Sequence, residues 1–322
     1  MGPDFALDDA QEAIVRLAAE VLSDNADTPE RQWKSLGQAG LLGLAVPEEL
    51  GGAGLGATET GLLLTEIGRR AAHVPAWSTL SLGVLPVARW GTPGQQRDLL
   101  PAVLEGRVLT AALGTLTATG DWRVTGVAAG VPDADRAYRV LVPTTRGVAL
   151  VDPSAPGVTL TRTPTSAGTD EFTVRLEDVA ADPLHHNADL RPYAVAGACA
   201  LGDGALAGAL RMTADHVRDR HQFGRPLATF QAVAQQIADV YVASRTMHLV
   251  SLAASWGLDP EDLRIAAYWL GSEALPALRT CHHLHGGLGL DAAYPLHRHT
   301  ELVRDLVRHL DRLGASGVHR PD

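Results

Sequence analysis

The order of its hydrophobic periodicities is the feature that most constrains what this chain can fold into. Residues 5 to about 108 have the period of amphipathic helices, residues 109 to about 183 are rich in Thr, Val, Gly and Pro, and the helical period returns from about Ala188. Units of one strand and one helix never alternate, which argues against a doubly wound nucleotide-binding sheet. The pattern predicts an α+β protein that is mostly α, with three parts: an N-terminal helical domain (1–108), a shortened middle β domain (109–187) and a C-terminal four-helix bundle (188–322).

Local signals place the main elements. In the middle part, Phe172, Val174 and Leu176 alternate with polar residues, as in a half-buried strand. Thr92-Pro93 and Asp259-Pro260 are typical of helix starts, and Thr229 is a candidate N-cap. We expect strands near residues 122–127, 138–143, 147–152 and 171–179, and long helices over 191–220, 229–256, 260–284 and 296–313.

Charge and cysteine content exclude several classes of function. The chain has 322 residues with 27 Lys and Arg against 37 Asp and Glu, a formal charge of −10. A net acidic chain is poorly suited to bind an anionic membrane, or to bind nucleic acid without sequence specificity. Two cysteines cannot build a disulfide framework, the acidic N-terminus does not resemble a secretory signal, and no apolar run reaches the length of a membrane helix. We therefore expect a reduced, cytoplasmic location.

Three further motifs are better explained by structure than by chemistry. The run Gly51 to Gly56 is preceded by Pro-Glu-Glu-Leu rather than by a strand, so it is interpreted as a loop between helices and not as a dinucleotide fingerprint. His282 and His283 are adjacent on a helix and point about 100° apart, so no metal site is expected there. Neither a GxSxG elbow nor a P-loop occurs.

The segment from Arg218 to Gln231 is more informative. It closes one long helix with cations, turns at Phe223-Gly224 and opens the next helix. Cations beside a new helix N-terminus form an anion site that suits a pyrophosphate.

Two stretches of the C-terminal part carry a resemblance to a known family. DRHQFGRPLATFQAVAQQIADVY (219–241) and HLHGGLGLDAAYPLHRH (283–299) closely resemble the acyl-CoA dehydrogenases. GLLGLAVPEELGGAGLG (40–56) is similar to the family's N-terminal helical domain, and WRVTG (122–126) and FTVRLEDVAADPL (172–184) are similar to its middle β domain.

The resemblance implies an FAD-dependent enzyme that dehydrogenates an acyl-CoA thioester between Cα and Cβ. In that family each FAD spans two subunits: the isoalloxazine lies against one β domain, and the neighbour's C-terminal domain holds the adenine and phosphates. By this resemblance the cofactor-binding positions here are Arg220, Phe223, Gly224, Gln231, Gly286 and Gly287, with His283 in place of the family's glutamine.

The other half of the implied site departs from the family pattern. The stretch LTAALGTLTATGDW (109–122) has no counterpart of the usual flavin-binding segment. The family's catalytic glutamate lies in a Tyr-Glu-Gly loop, whereas here the chain continues as helix, with Leu310-Asp311 near that point. The second position used by some relatives is Leu190, next to Asp189. The resemblance therefore implies a subunit without its own base that completes the active site of a homologous partner carrying the glutamate, in an expected α2β2 assembly.

Two alternatives stay open. One is a self-sufficient homomeric enzyme that uses Asp311 or Asp189 as its base, and the other is a flavin-free scaffold. Heteromeric relatives of actinobacterial steroid side-chain degradation suggest, by analogy alone, a steroid CoA ester as substrate.

Overall fold

The computed structural model describes residues 5–23 and 28–315, and every regular element described before Glu105 is helical. Two short 3₁₀ turns lie between the second and third helices, and a π-helical segment, Trp77–Val84, leads into the fourth. The helices are α1 (Asp9–Val21), α2 (Pro29–Gln38), α3 (Ala57–Arg69), α4 (Leu85–Trp90) and α5 (Pro93–Leu104). The expected start of α5 is confirmed, because Thr92 and Gln95 cap each other's backbone N–H groups.

Eight short strands form two four-stranded sheets in the middle of the chain. One sheet has the order β1-β4-β5-β8, with β1 parallel to β4, and the other is antiparallel in the order β2-β3-β7-β6. The strands are β1 (Val108–Ala111), β2 (Thr117–Ala118), β3 (Arg123–Pro132), β4 (Ala137–Thr144), β5 (Gly147–Val151), β6 (Val158–Thr163), β7 (Glu171–Ala180) and β8 (Asp182–Pro183). All four strands expected from the sequence are present, and the alternation in Phe172–Leu176 faces the sheet core.

The C-terminal part is a helical bundle interrupted by one small hairpin. A π-helical segment, Leu270–Ala274, joins α8 to α9, so the expected helix over 260–284 is one continuous helical stretch. The elements are α6 (Arg191–Asp219), β9 (His221–Gln222), β10 (Arg225–Pro226), α7 (Gln231–Gly257), α8 (Pro260–Trp269), α9 (Leu275–His285) and α10 (Leu296–Arg312).

The expectation that Thr229 caps α7 is wrong. Phe230 is the N-cap residue and makes no side-chain cap bond, while the Thr229 hydroxyl donates to the carbonyl of Pro226 at 2.7 Å. A short 3₁₀ turn, Leu227–Thr229, uses that hydroxyl before the α-helix begins. The helix therefore starts two residues later than the sequence indicates.

The long helix α6 lies at the centre of the molecule. It packs against α3 and α7, and its Asp203 carboxylate accepts hydrogen bonds from Thr65 of α3 at 3.4 Å and from the His248 ring of α7 at 2.9 Å. Among the described helices it alone is long and apolar enough to cross a membrane, but 83% of its most apolar window is buried inside the protein. We therefore interpret it as the core helix of the bundle.

Candidate functional site

The β9–β10 hairpin carries a large aromatic side chain on a strained turn. Phe223 and Gly224 both have positive φ, 54° and 79°, as a two-residue hairpin turn requires. Such a conformation costs a residue with a bulky side chain about 1–2 kcal/mol, yet the Phe223 ring is 92% exposed and buries almost nothing in the chain itself. A strained, exposed aromatic residue indicates a contact with a molecule outside this chain.

Arg220 lies just before this hairpin, at the C-terminal end of α6. Its backbone N–H donates to His216 at 2.8 Å, but its exposed guanidinium makes no ion pair within the described residues. Its neighbour Arg218 differs, because Asp215 and Asp219 both pair with it. Arg220 is thus the cation at this helix end that is available to an external anion.

The glycine pair after α9 provides exposed backbone beside the hairpin. Gly286 has φ 58° and ψ −134°, a conformation that is essentially restricted to glycine. No atom lies within 4 Å of the position that a Cβ of Gly286 or Gly287 would occupy. The neighbouring His283 is exposed. This open backbone allows a ligand to approach closely.

Two stacked histidines join the end of α6 to the end of α9. The rings of His216 and His285 lie 4.4 Å apart at 18°, and His285 also bonds the carbonyl of Cys281 at 2.8 Å and the hydroxyl of Tyr294 at 3.2 Å. Burial lowers the pKa of both imidazoles, and the charge of Arg220 lowers the pKa of His216 further. The stacked rings therefore connect the last turn of α6, which precedes Arg220, to the residue that precedes the glycine pair. We call the surface formed by Arg220, Phe223, Gly224, Gln231, Gly286 and Gly287 the hairpin face.

A second region lies between the β sheet and α10, where the resemblance expects the isoalloxazine and the base. Glu171, at the start of β7, is buried and is bound there by three side chains of α10. Arg308 donates to both carboxylate oxygens at 2.9 and 2.6 Å, His309 Nε2 donates at 2.8 Å, and Arg312 lies 3.9 Å away. Burial alone would raise the pKa of Glu171, but the hydrogen bonds from His309 and Arg308 outweigh it and hold that pKa at about 2.

The side chains of this cluster join the sheet to α10, and Glu171 and His309 line a cavity of about 240 Å³. The guanidinium of Arg312 lies so close to Gly130 of β3 that a Cβ there would be 1.5 Å from its Nη1. The His309 ring packs 4.7 Å from Trp77, and burial lowers the pKa of His309. We call Glu171, Arg308, His309 and Arg312 the Glu171 cluster. It bridges the two walls of the cleft with charged groups of the chain itself.

Neither candidate base faces the interior of this cleft. Asp311 is exposed on α10, while the adjacent Leu310 is fully buried. Asp189 is exposed, and its carboxylate accepts the backbone N–H of Arg191 at 2.9 Å, as a helix-capping side chain does. Both carboxylates therefore have ordinary surface roles.

The end of α10 contacts the start of α6. The helix ends at Arg312, and Leu313 and the left-handed Gly314 follow it. The Arg191 guanidinium donates to the Leu313 carbonyl, so the start of α6 is attached to the end of α10.

The stretch 109–122, where the resemblance expects the flavin-binding segment, uses several of its backbone N–H groups within the sheets. The N–H groups of Ala112 and Leu116 donate to Leu141 and Pro143 at 2.9 Å, and that of Ala118 to the Thr145 hydroxyl at 3.2 Å. These donors are therefore unavailable to a ligand.

In the part of the chain that the structure describes, no three metal-ligating side chains converge. His282 bonds the Gly289 carbonyl at 2.7 Å and Thr300 at 2.9 Å, which leaves neither of its ring nitrogens free.

Cys199 and Cys281 are both free and buried, and burial raises the pKa of Cys281 to about 11. Neither thiol is a nucleophile at neutral pH.

Two helical parts on either side of a β domain, with the hairpin face at the end of α6, are typical of flavin-dependent dehydrogenases. Comparison with known proteins identifies the family. Two family models match, the acyl-CoA dehydrogenase N-terminal domain over residues 6–107 and the acyl-CoA dehydrogenase C-terminal domain over residues 194–306. The chain belongs to the acyl-CoA dehydrogenase family of oxidoreductases.

Individual relatives are similar over nearly their whole length. Acyl-CoA dehydrogenase FadE28 of Mycobacterium tuberculosis is 42% identical, and the match covers 95% of this chain and 94% of the relative. The Tcur3481-Tcur3483 steroid ACAD superimposes with a TM-score of 0.86 at 35% identity, covering 95% of this chain and 96% of that one. The ChsE4-ChsE5 complex from M. tuberculosis gives a TM-score of 0.86 at 29% identity, covering 99% of this chain and 100% of that one.

The Glu171 cluster generates a prediction about stability. Glu171→Gln should lower the free energy of unfolding by about 3 kcal/mol, the lower end of the range for breaking a buried ion pair, because the Arg308 side chain is 33% exposed. Since the pKa of Glu171 is lowered in the folded state, its contribution is complete above about pH 4.5 and is lost as pH falls toward 2.

Urea unfolding at neutral and acidic pH measures both effects. Glu177→Gln, an exposed carboxylate on the same strand, is the matched control. Equal unfolding midpoints for the two variants would show that the cluster does not stabilise the fold.

Proposed function

We propose that this chain is a subunit of a heteromeric, FAD-dependent acyl-CoA dehydrogenase. It would supply the adenine and pyrophosphate half of the FAD site to a homologous partner that carries the catalytic glutamate. One observation carries the proposal: Arg220 makes no ion pair among the described residues, and Phe223 and the glycine pair are exposed beside it in the sequence pattern of the cofactor site, whereas charged side chains of the chain itself connect β7 to α10.

The hairpin face fits the phosphate end of the cofactor. Arg220 would donate charged hydrogen bonds to the pyrophosphate, and the backbone at Gly286 and Gly287 would approach it closely. Phe223 would pack against the cofactor or the partner, which gives its exposed ring a contact. When bound in the partner's cleft, FAD would supply the hydride-accepting chemistry, and this chain's part is to bind and orient it.

The cleft does not fit the isoalloxazine. A flavin there would have to displace the guanidinium of Arg312 from Gly130 and separate Glu171 from Arg308. The unpaired charges would then remain buried, which is costly. We therefore propose one FAD site for each pair of different subunits, as in an α2β2 assembly with two.

Exposed apolar surface beside the hairpin supports a protein partner. On α7 the large side chains of Tyr241, Val242 and Leu249 are exposed. Tyr241 also belongs to an apolar groove of about 590 Å³ between α6 and α7, which is lined by Leu210, Ala214, Val217, Ala228, Ile237, Ala238 and Tyr241. A continuous apolar surface of this kind is typical of a protein interface.

Similarity to the steroid ACAD, whose name states its substrate class, supports a steroid side-chain CoA thioester as the substrate. The same assembly would act in lipid metabolism in the cytoplasm. The competing interpretation, a self-sufficient enzyme, requires Asp311 or Asp189 to remove a proton, and both are exposed outside the cleft.

The first prediction concerns cofactor content. The isolated chain should retain little FAD, and the complex with its partner should retain one FAD per heterodimer, because only the partner offers an open cleft. Absorbance of the flavin after gel filtration measures the ratio. Stoichiometric flavin on the isolated chain would exclude the division of labour.

The second prediction concerns Arg220. Arg220→Ala in the complex should weaken FAD binding about tenfold or more, since a charged hydrogen bond contributes about 1.5–3 kcal/mol. Arg218→Ala at the same helix end, where the arginine is already paired, should leave FAD binding unchanged. Equal flavin loss in both variants would assign Arg220 a general electrostatic role only.

The third prediction separates the two enzyme interpretations. Asp311→Asn and Asp189→Asn should leave turnover of the complex within a few-fold of wild type, because neither carboxylate reaches the cleft. Loss of a general base typically lowers the rate by about 10²–10⁴-fold. A hundredfold loss in Asp311→Asn, with flavin still bound, would establish this chain as the one that carries the base.

A further inference from the structure

A cleft beside α6 is lined by several basic side chains. It lies between the end of α3, the middle of α6 and the start of α10, and its volume is about 690 Å³. Its basic lining consists of the arginines Arg69, Arg70, Arg211 and Arg298 and the histidines His73 and His299.

Most of this charge has no counter-ion. Glu66 pairs with Arg69 at 3.0 Å, but Arg70, Arg211 and Arg298 make no ion pair with any residue that the structure describes. Arg70 donates only to the backbone carbonyl of Ala19. Three uncompensated guanidiniums in one cleft are unusual in a chain whose formal charge is −10.

Unpartnered buried atoms lie in the same wall. Six buried side-chain nitrogen or oxygen atoms of the described residues lack a hydrogen-bond partner, and three of them belong to this cleft: Arg70 Nε, His73 Nε2 and His299 Nδ1. The His299 side chain is among the most buried, with 4% of the residue exposed. Buried polar atoms of this kind are usually bound by water, an ion or a ligand.

The arginines act on the two histidines of the cleft. Burial above all, together with the charges of Arg211 and Arg298, lowers the pKa of His299 to about 4. Burial and Arg298 also lower the pKa of His73, while Glu301 and Asp305 act in the opposite direction. An anion in the cleft would relieve the mutual repulsion of these cations.

We propose that this cleft binds the phosphoryl group of a small molecule, at a site separate from the hairpin face. Three unpaired guanidiniums call for an anion with at least two charges, and their planar forks match phosphate oxygens. The volume is within the range of small-molecule sites, so a nucleotide-sized compound fits as well as inorganic phosphate. Arg211 precedes Arg220 by nine residues on α6, about 13 Å along the helix, so one phosphate cannot bind both.

Calorimetric titration of the full chain tests this site. Arg220→Ala serves as the background, because it removes the hairpin-face contribution. Inorganic phosphate, pyrophosphate and ADP are titrated at constant ionic strength, with acetate as the monovalent comparison. Saturable binding of a phosphate probe is expected, and either Arg211→Gln or Arg298→Gln should weaken it about tenfold or more.

Arg264→Gln, which removes an exposed arginine on α8 that is paired with Glu261, is the control and should bind as the background does. Melting curves establish that each variant is folded. Absence of saturable binding by all three phosphate probes, binding of acetate as tight as that of phosphate, or unchanged binding in both Arg211→Gln and Arg298→Gln would each overturn the proposal. None of these outcomes bears on FAD sharing, which the Arg220 comparison in the complex tests separately.

Discussion

The bond between Glu171 and α10 is the interaction on which the rest of this structure depends. A carboxylate buried at the start of β7 must be paired, and the residues that pair it come from a helix some 137 positions further along the chain. The pairing attaches the sheet domain to the bundle. It also brings charged side chains of α10 against the sheet.

The two regions differ in how their groups are partnered. In the Glu171 cluster, Arg308 and His309 bind Glu171, and Arg312 lies against Gly130. On the hairpin face, the guanidinium of Arg220 makes no ion pair among the described residues, and Phe223 is exposed apart from an edge contact with Phe230. A surface that loses its function should lose its strained and exposed groups first, because they cost stability and gain nothing. Their presence supports a ligand shared with another subunit.

Local signals in the sequence predicted local structure well. The capping box of Thr92 and Gln95, the start of α8 after Asp259 and the turn at Phe223-Gly224 each depend on a few neighbouring residues, and each was expected. The prediction that Thr229 caps α7 was wrong because its hydroxyl donates to the Pro226 carbonyl, within the 3₁₀ turn that precedes the helix. The positions of the hairpin face followed from the family resemblance and stay predictions.

The Glu171 cluster could not be predicted, because Glu171 and Arg308 are ordinary surface residue types whose pairing arises only from tertiary packing. The helix end at Leu313-Gly314 carried a readable signal, since a glycine directly after a basic helical turn is a common C-terminal stop.

The length of α6 has a mechanical consequence. This one helix begins at Arg191, which bonds the end of α10 beside the Glu171 cluster, and ends at Asp219, immediately before Arg220 on the hairpin face. Its 29 residues make a rigid rod of about 43 Å. The length of this helix therefore sets the distance between the two regions. One residue more or less would move Arg220 by about 1.5 Å and rotate it by about 100° relative to the sheet. The number of residues in α6 is thus as constrained as the identity of any side chain on it, although most of those side chains only fill the core.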